Sequence, residues 1–348
     1  MSYRKTWLEV NLSNLEFNYN FLKDYTNKDV IAVVKANGYG LGIVEVASTL
    51  KNCGCNYFAV SSIEEALVLR NNNFQNPIIV FGATSLSALD IVKKHDLTLT
   101  VTSLDWAQEL NNTSFHDIKL HIKIDTGMNR HGFKETNDVI DALTLLKNRH
   151  QIEGIYTHYY EGVDFDKTVK QFNRFKEIVE KLDFSFKYIH ASNSDGIFTL
   201  KEDFTNTIRP GIALYGYIKN KGLKETLKLY TTISHVKAVK EHETIGYDGI
   251  YTAHANELNA TLPIGYADGY NRSLSGFHTF IESDCIITGR ICMDQMMINI
   301  PHHYPIGTTV ELIGDNVSIY ELCEYTNQIP YEILVQLSSR ITRIYINN

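Results

Sequence analysis

The sequence has no apolar run long enough to cross a membrane, and its first residues lack the apolar core of a signal peptide. Lysine and arginine (33) are fewer than aspartate and glutamate (40), and no basic stripe alternates with aromatic residues. A nucleic-acid partner is therefore not expected. The five cysteines have neither the spacing of zinc ligands nor that of a redox pair. These absences predict a cytoplasmic protein with reduced thiols, no metal site and no contact with membrane or nucleic acid.

The sequence does contain a regular alternation of short apolar runs and segments with helical spacing, which extends to Tyr217. Eight such runs, with no dinucleotide-type glycine fingerprint after the first, predict an α/β fold of the (β/α)8 TIM-type barrel kind. Beyond Tyr217 strand-like alternation dominates, which predicts a mainly β C-terminal domain. The predicted domains are residues 1–228 and 229–348. The predicted barrel strands are 31–35, 57–61, 77–81, 97–101, 119–125, 154–158, 188–192 and 207–209; the second domain has strands 232–239, 260–264, 279–288, 296–300 and 309–313 and helices 321–326 and 331–337.

One lysine stands where the first apolar run ends. Ile31 to Val34 lead into Lys35, and a glycine-containing turn with Asn37 and Tyr39 follows. A lysine amine held in a pocket loses its charge more readily than a solvated one. A neutral amine condenses with an aldehyde, which is how enzymes bind pyridoxal 5'-phosphate (PLP). A solvated lysine at a strand end is the alternative interpretation of this motif taken alone.

Further polar residues follow the ends of the later predicted strands. Because a barrel of this type places its chemistry at the C-terminal ends of its strands, we expect these clusters to meet at one face. Ser194, Gly211 and Ile212 follow the seventh and eighth strands, where hydroxyl and backbone N–H groups suit a phosphate, and Tyr39 offers a phenol from the opposite side. The clusters are Lys35, Lys123 with Asp125, Thr157 with His158, His190 to Ser194, and Arg209 to Ile212.

Taken together and in this order, the motifs resemble those of the alanine racemase family, which comprises fold-type III PLP enzymes. The matching segments span nearly the whole chain. They are residues 32–40 (AVVKANGYG), 121–130 (HIKIDTGMNR), 157–158 (TH), 193–194 (NS), 209–216 (RPGIALYG), 245–249 (IGYDG), 263–270 (PIGYADGY), 289–295 (GRICMDQ) and 330–332 (PYE).

The resemblance implies a reaction with two acid–base groups, because inverting a stereocentre needs a proton donor on each face. Lys35 would bind the PLP cofactor covalently and serve as one of them. Tyr247 matches the second, which in the family comes from the C-terminal domain of the partner subunit. The resemblance thus implies a homodimer with shared active sites.

The family also implies a set of residues around the cofactor. Arg209 would face the pyridine nitrogen and keep it unprotonated, because an arginine does not give up its proton. This favours racemisation over decarboxylation or transamination, and it argues against the decarboxylases of the same fold type. The implied cofactor-binding residues are Lys35, Tyr39, His158 (under the pyridine ring), Ser194, Arg209, Gly211, Ile212 and Tyr331.

For the substrate, the resemblance implies that Arg130 and the backbone N–H of Met293 bind the carboxylate. Lys123 matches a family lysine that is carbamylated in some members and positions Arg130. Tyr331 would crowd the side-chain pocket and favour alanine, with serine as a slower substrate. The residues implied to line the access channel are Tyr266, Arg272, Arg290 and Asp294.

The expected role is the supply of D-alanine for cell-wall peptidoglycan. A serine or broad-specificity racemase is the alternative enzyme, and a non-catalytic PLP-binding protein is an alternative of another class, disfavoured by the second domain and by Tyr247. One segment departs from the family pattern. After Thr157 and His158 the family usually continues Phe-Ala, whereas residues 159–162 here are Tyr-Tyr-Glu-Gly, so gating or substrate range can differ.

Overall fold

The computed structural model describes residues 3–201 and 203–347. The described chain divides into two compact units. The barrel unit comprises Asn14–Gly38 and Ile43–Lys224, and the β unit comprises residues 3–13, 39–42 and 225–347. The predicted barrel domain was residues 1–228, and three short segments of that range, 3–13, 39–42 and 225–228, lie instead with the β unit.

The barrel unit confirms the predicted fold class. Within the described residues, eight parallel strands pair in chain order and the last pairs with the first, which closes the barrel. Most strand residues are buried, as expected for a parallel sheet covered on its outer face by helices. The strands are Asp29–Val33, Tyr57–Val60, Ile78–Val80, Thr98–Val101, Lys119–Lys123, Gln151–Tyr156, Tyr188–His190 and Thr207–Ile208.

The helices of the barrel unit follow the helical spacing of the sequence. One of them is the helix Phe165–Glu180, and the Asp164 side chain accepts the Lys167 N–H at its start. Ser62 and Ser103 begin two other helices in the same way. The helices are Leu12–Thr26, Ile43–Asn52, Ile63–Asn71, Leu89–Lys94, Leu104–Asn111, Thr136–Leu146, Phe165–Glu180 and Gly196–Thr199.

The β unit is built on a nine-stranded sheet, confirming the predicted mainly β character. The prediction of one continuous strand over residues 279–288 is wrong. It forms the hairpin His278–Phe280 and Asp284–Thr288, because the chain turns back between them. The strand predicted at 260–264 ends at Leu262, since Pro263 has no N–H for the ladder. The strands of this sheet are Thr6–Asn11, Leu227–Thr232, His235–Val239, Glu257–Leu262, His278–Phe280, Asp284–Thr288, Met296–Ile300, Thr309–Ile313 and Thr342–Ile346; Thr244–Ile245 and Tyr251–Thr252 form a separate pair, and the helices are Ile319–Thr326 and Pro330–Gln336.

Five strands of the β unit were not predicted: Thr6–Asn11, Leu227–Thr232, Thr342–Ile346, and the pair Thr244–Ile245 and Tyr251–Thr252. Thr6–Asn11 pairs antiparallel with Leu227–Thr232 and parallel with Thr342–Ile346. Its alternating burial is the pattern of a strand with one covered face. This pairing places the N-terminal segment in the β unit. Across the described ranges, every helix is too short or too polar to span a bilayer.

Candidate active site

Lys35 follows the first barrel strand and its amine is half-buried. Burial lowers the pKa of Lys35, and the positive charge of Arg130 lowers it further, while the carboxylate of Glu65 opposes both. A lysine in this state supplies a neutral amine at a lower pH than a solvated lysine does. That Lys35 is a reactive amine stays a prediction, with which its burial and lowered pKa agree.

The backbone after Lys35 turns in the left-handed sense. Ala36, Asn37, Gly38 and Tyr39 have φ angles of 52, 55, 62 and 52°. Only Gly38 adopts this conformation without a steric penalty. The Gly38 N–H donates to the Val34 carbonyl over 2.9 Å, and the Ile43 N–H donates to Asn37 Oδ1 over 3.0 Å. The turn thus directs the chain away from Lys35 immediately after the strand.

Arg209 lies at the end of the last barrel strand and is buried, with 4 % of its surface exposed. Its guanidinium donates to the carbonyls of Thr157 (2.7 Å) and Ala191 (3.0 Å) and to Nδ1 of His190 (3.0 Å). Burial lowers the pKa of Arg209 to about 10, so the group stays cationic at neutral pH. The site therefore has a buried, fixed hydrogen-bond donor with a positive charge.

Two histidines continue from Arg209 into the barrel interior. His190 Nε2 lies 2.9 Å from His121 Nδ1, and His121 Nε2 lies 3.2 Å from the Tyr57 hydroxyl. Burial lowers the pKa of His121 to about 3 and that of His190 well below its ordinary value, so both rings are neutral. Arg209 donates to His190 Nδ1, so the proton of His190 must lie on its Nε2. That N–H donates to His121 Nδ1, so the proton of His121 lies on its own Nε2 and points to Tyr57. We call Arg209, His190, His121 and Tyr57 the histidine column.

His158 follows the sixth barrel strand and lies beside Arg209, with 3.4 Å between its Nδ1 and a guanidinium nitrogen. Burial and the positive charge of Arg209 lower the pKa of His158 well below its ordinary value. A neutral imidazole with an uncharged face can pack under an aromatic ring without charge repulsion.

Lys123 is almost completely buried, with 2 % of its surface exposed. Its Nζ donates to the Ile124 carbonyl over 2.6 Å. Burial and then the charge of Arg209 lower the pKa of Lys123 to about 7. The amine is therefore partly neutral near pH 7, which is the form that reacts with carbon dioxide.

The turn that carries Arg130 is held by a carboxylate. Oδ1 of Asp125 accepts the N–H groups of Gly127 and Asn129, both over 3.0 Å. The Thr126 hydroxyl lies 2.8 Å from that of Thr157, which joins this turn to the loop after the next strand. Arg130 itself is exposed, so its guanidinium is accessible to a ligand.

Gln171 connects the same two loops, and sequence analysis missed it. Its side chain is buried and donates to the Thr126 hydroxyl (3.0 Å) and the His158 carbonyl (3.1 Å), and it accepts the Tyr160 N–H (3.0 Å). Glutamine on an amphipathic helix is usually solvated, so no pattern in the sequence indicates this role.

Ser194 and the segment from Gly211 form a compact group of hydrogen bonds. Ser194 Oγ accepts the N–H of Gly211 over 3.0 Å and that of Ala213 over 3.1 Å. Ser194 and Ile212 are buried. A hydroxyl that accepts from two backbone groups keeps its own O–H as a donor, which is suited to a phosphate oxygen.

The remaining predicted site residues belong to the β unit. Tyr247 and Met293 are 65 % and 54 % exposed and line an open cavity of about 560 Å³ together with Gly246, Cys292, Asp294 and Gln295. The segment that carries Met293 packs tightly, since a Cβ at Gly265 would lie 2.4 Å from the Met293 carbonyl oxygen.

The predicted channel residues are accessible in the β unit. Arg290 donates to Asp248 over 2.6 Å, and Asp294 accepts from Arg340 over 2.6 Å. Tyr266 is 42 % exposed and Arg272 is exposed as well. These ion pairs fix the side chains near the cavity, although each is worth little by itself at an exposed position.

Tyr39 and Tyr331 also lie together in the β unit, with their ring centres 6.1 Å apart. Burial raises the pKa of Tyr39, so its phenol keeps its proton. A Cβ at Gly40 would lie 2.3 Å from the Leu334 carbonyl oxygen, which explains why the residue after Tyr39 is glycine. The barrel unit thus holds Lys35, Lys123, Arg130, His158, Ser194, Arg209, Gly211 and Ile212, and the β unit holds Tyr39, Tyr247, Tyr266, Arg272, Arg290, Met293, Asp294 and Tyr331.

The closed barrel, with basic and imidazole side chains after several of its strands, defines an enzyme with its site at the C-terminal face, joined to a β unit. Residues 10–219 match the family model for the alanine racemase N-terminal domain, and residues 226–345 match that for the C-terminal domain. The chain belongs to the alanine racemase family.

Individual relatives agree with this assignment. Alanine racemase 1 of Bacillus subtilis (strain 168) is 34 % identical in an alignment of 366 positions, which covers 99 % of this chain and 94 % of the relative. The crystal structure of alanine racemase from E. faecalis is 32 % identical with a TM-score of 0.95, covering 99 % of both chains. A histidine racemase from Leuconostoc mesenteroides is 26 % identical with a TM-score of 0.90, covering 100 % of this chain and 99 % of that one.

Proposed function

We propose that this protein is a PLP-dependent alanine racemase that interconverts L-alanine and D-alanine. The observation that carries the proposal is the amine of Lys35, whose pKa is lowered, at the same end of the barrel as the buried cation of Arg209. Membership of the alanine racemase family gives the substrate.

The residues of the barrel unit fit PLP chemically. Besides burial, the charge of Arg130 lowers the pKa of Lys35, and the charges of Arg209 and Arg130 lower the pKa of Lys123. The hydrogen bonds of Arg209 named above go to carbonyls and a neutral imidazole. A site with this excess of positive charge favours an anionic ligand. The phosphate group of PLP supplies the required negative charge.

Each group of the cofactor has a matching donor. Lys35 would bind its aldehyde carbon, and the Ser194 hydroxyl with the backbone of Gly211 and Ile212 would bind its phosphate, joined by the phenols of Tyr39 and Tyr331. Arg209 would donate to the pyridine nitrogen, and His158 would pack against the ring. When bound, PLP makes the Cα–H bond of an amino acid more acidic by withdrawing electrons.

Racemisation requires that a proton leave one face of the alanine Cα and that another arrive on the opposite face. We assign Nζ of Lys35 to one face and the hydroxyl of Tyr247 of the partner subunit to the other. The exposure of Tyr247 and Met293 at an open cavity supports a homodimer in which each β unit completes a partner's site. Arg130 and the Met293 N–H would bind the substrate carboxylate.

Lys123 would be carbamylated, and the resulting negative charge would hold Arg130 in place. Tyr266, Arg272, Arg290 and Asp294 would line the channel by which alanine reaches the site. We place the reaction in the cytoplasm, where D-alanine enters peptidoglycan precursors.

A serine or broad-specificity racemase is the second candidate. The histidine racemase neighbour favours it, since it shares the fold at 26 % identity and a TM-score of 0.90 and is named for a larger amino acid. Tyr331 favours alanine over serine, because it narrows the pocket. A pocket shaped for a methyl group discriminates against an added hydroxyl only by roughly a hundredfold.

Chiral chromatography tests the proposal. Purified protein loaded with PLP is incubated separately with L-alanine and L-serine, and Lys35→Ala protein serves as the control. We expect rapid conversion of alanine to a near-equal mixture, slow conversion of serine and no conversion by the variant. Serine converted as fast as alanine would favour the second candidate, and conversion of neither would contradict both.

A further inference from the structure

The carboxylate of Glu65 bridges the turn after Lys35 to the end of the neighbouring strand. Oε1 of Glu65 accepts the Ala36 N–H over 2.7 Å, and Oε2 accepts the Ser61 N–H over 2.7 Å. Glu65 lies in the first turn of the helix Ile63–Asn71, whose N-cap is Ser62. A glutamate at this position usually returns to its own N-cap N–H, whereas here it joins two adjacent βα loops.

The hydrogen bond from Ala36 to Glu65 lies in a segment whose backbone conformation is unfavourable. Ala36 is the first of five successive residues with positive φ, which end at Gly40, and it has a Cβ that disfavours this conformation. In this conformation the Cβ of a residue other than glycine lies too close to the following carbonyl oxygen. A charged acceptor forms a stronger hydrogen bond than a neutral one, so a carboxylate is well suited to hold this N–H. The position of the Ala36 backbone in turn determines where the Lys35 side chain begins.

The charge of Glu65 also acts on the amine itself. It raises the pKa of Lys35, against the lowering by burial and by Arg130. Without Glu65, burial and the charge of Arg130 would lower the pKa of Lys35 unopposed. One side chain thus affects both the position and the charge of Lys35.

We propose that Glu65 is a positioning residue for Lys35: its carboxylate fixes the left-handed turn behind the amine through the Ala36 N–H and places a negative charge beside that turn. This inference rests on the proposed function in that it assigns Lys35 the acid–base role. It adds a residue to the site that none of the family motifs quoted above contains.

The test separates charge from position with two variants. Glu65→Gln removes the charge and one of the two acceptors, while Glu65→Asp keeps the charge on a shorter side chain. Glu64→Gln is the matched control, because Glu64 is exposed on the same helix turn. The first readout is the pH dependence of Lys35 acetylation by acetic anhydride in full-length, PLP-free protein, followed by mass spectrometry. The second is kcat and KM for L-alanine with PLP-loaded protein.

For Glu65→Gln we expect the apparent pKa of Lys35 to fall by about 0.5 to 1, because a carboxylate that favours the ammonium form is lost. We expect kcat to fall roughly tenfold with KM changed less than about twofold, since the amine is displaced but substrate binding is not. Glu65→Asp should retain the wild-type pKa of Lys35 with a reduced kcat. Glu64→Gln should change neither.

A purely structural role gives a different result. Glu65→Gln protein that melts at a lower temperature but retains the pKa of Lys35 and kcat would overturn the inference. The acetylation readout needs no turnover. If wild-type protein racemises no alanine, the proposed function fails. If Glu65→Gln leaves the pKa of Lys35 unchanged, the inference that Glu65 acts on Lys35 fails.

Discussion

Replacing the buried lysine of the barrel, Lys123→Met, should stabilise the protein at low pH. Lys123 is 2 % exposed, and its pKa falls from 10.5 to about 7 on burial beside Arg209. At about 1.4 kcal/mol for each pKa unit, this shift corresponds to a charging cost of about 5 kcal/mol. Methionine fills a similar volume without that cost. Losing the hydrogen bond from Nζ to Ile124 offsets about 1 kcal/mol of the gain.

The pH dependence gives the sign of the effect. Below pH 7 the amine is protonated in the folded and the unfolded chain, so the full burial cost is present. Between pH 7 and 10.5 the unfolded chain binds a proton that the folded chain has lost, so wild-type stability rises with pH. The advantage of Lys123→Met should therefore be about 3 to 4 kcal/mol at pH 6 and smaller by roughly 2 to 3 kcal/mol at pH 9.

Urea unfolding followed by circular dichroism in carbonate-free buffer measures both values. Lys147→Met is the control, since Lys147 is exposed and its replacement should change the free energy of unfolding little. Adding bicarbonate should raise the stability of the wild type alone, because carbon dioxide adds to the neutral amine with loss of a proton and the carbamate gains from Arg130 and Arg209. A variant less stable than the wild type at pH 6, or a difference independent of pH, would refute the reasoning.

Three further substitutions test other parts of the site. Arg209→Gln should lower kcat for L-alanine by about a hundredfold, because the buried hydrogen-bond donor loses its charge. Steady-state kinetics with PLP-loaded protein measure this, and a kcat within a factor of two of the wild-type value would contradict it. His121→Phe should lower the free energy of unfolding by about 2 to 3 kcal/mol, because His190 and Tyr57 lose their partner in the histidine column, and urea unfolding at pH 8 checks it. Tyr331→Ser should raise kcat/KM for serine relative to alanine by roughly tenfold. Competition between the two substrates measures this ratio, and an unchanged ratio would mean that Tyr331 does not limit the pocket.

The barrel was predictable because its signal is local. Buried parallel strands appear in a sequence as short apolar runs, and each run here lies within a few residues of an observed strand. The ends of those runs also located Lys35, Lys123 and Arg209. Since strand C-termini meet at one face of a barrel, their grouping followed from the fold alone.

What could not be predicted depends on contacts between distant residues. Thr6–Asn11 becomes a strand by pairing with Leu227–Thr232 and Thr342–Ile346, and no local pattern reports a partner so far along the chain. Glu65 and Gln171 are charged and polar residues at ordinary helical positions, so only the geometry shows that they bridge loops. The glycine-containing turn after Lys35 was predicted, but its left-handed conformation was not. At Ala36 the φ of 52° is maintained by the surrounding structure.

The proposed pairing of Lys35 with the partner subunit's Tyr247 can be tested directly by mixing two inactive variants. Lys35→Ala and Tyr247→Phe proteins are each expected to racemise L-alanine poorly. Refolded together, half of the dimers should be hybrids, and each hybrid should contain one site with both groups intact, so about a quarter of the wild-type activity should return. If both groups came from the same chain, no hybrid would contain an intact site. Activity near a quarter supports the shared two-base site, and a mixture as inactive as its components contradicts it.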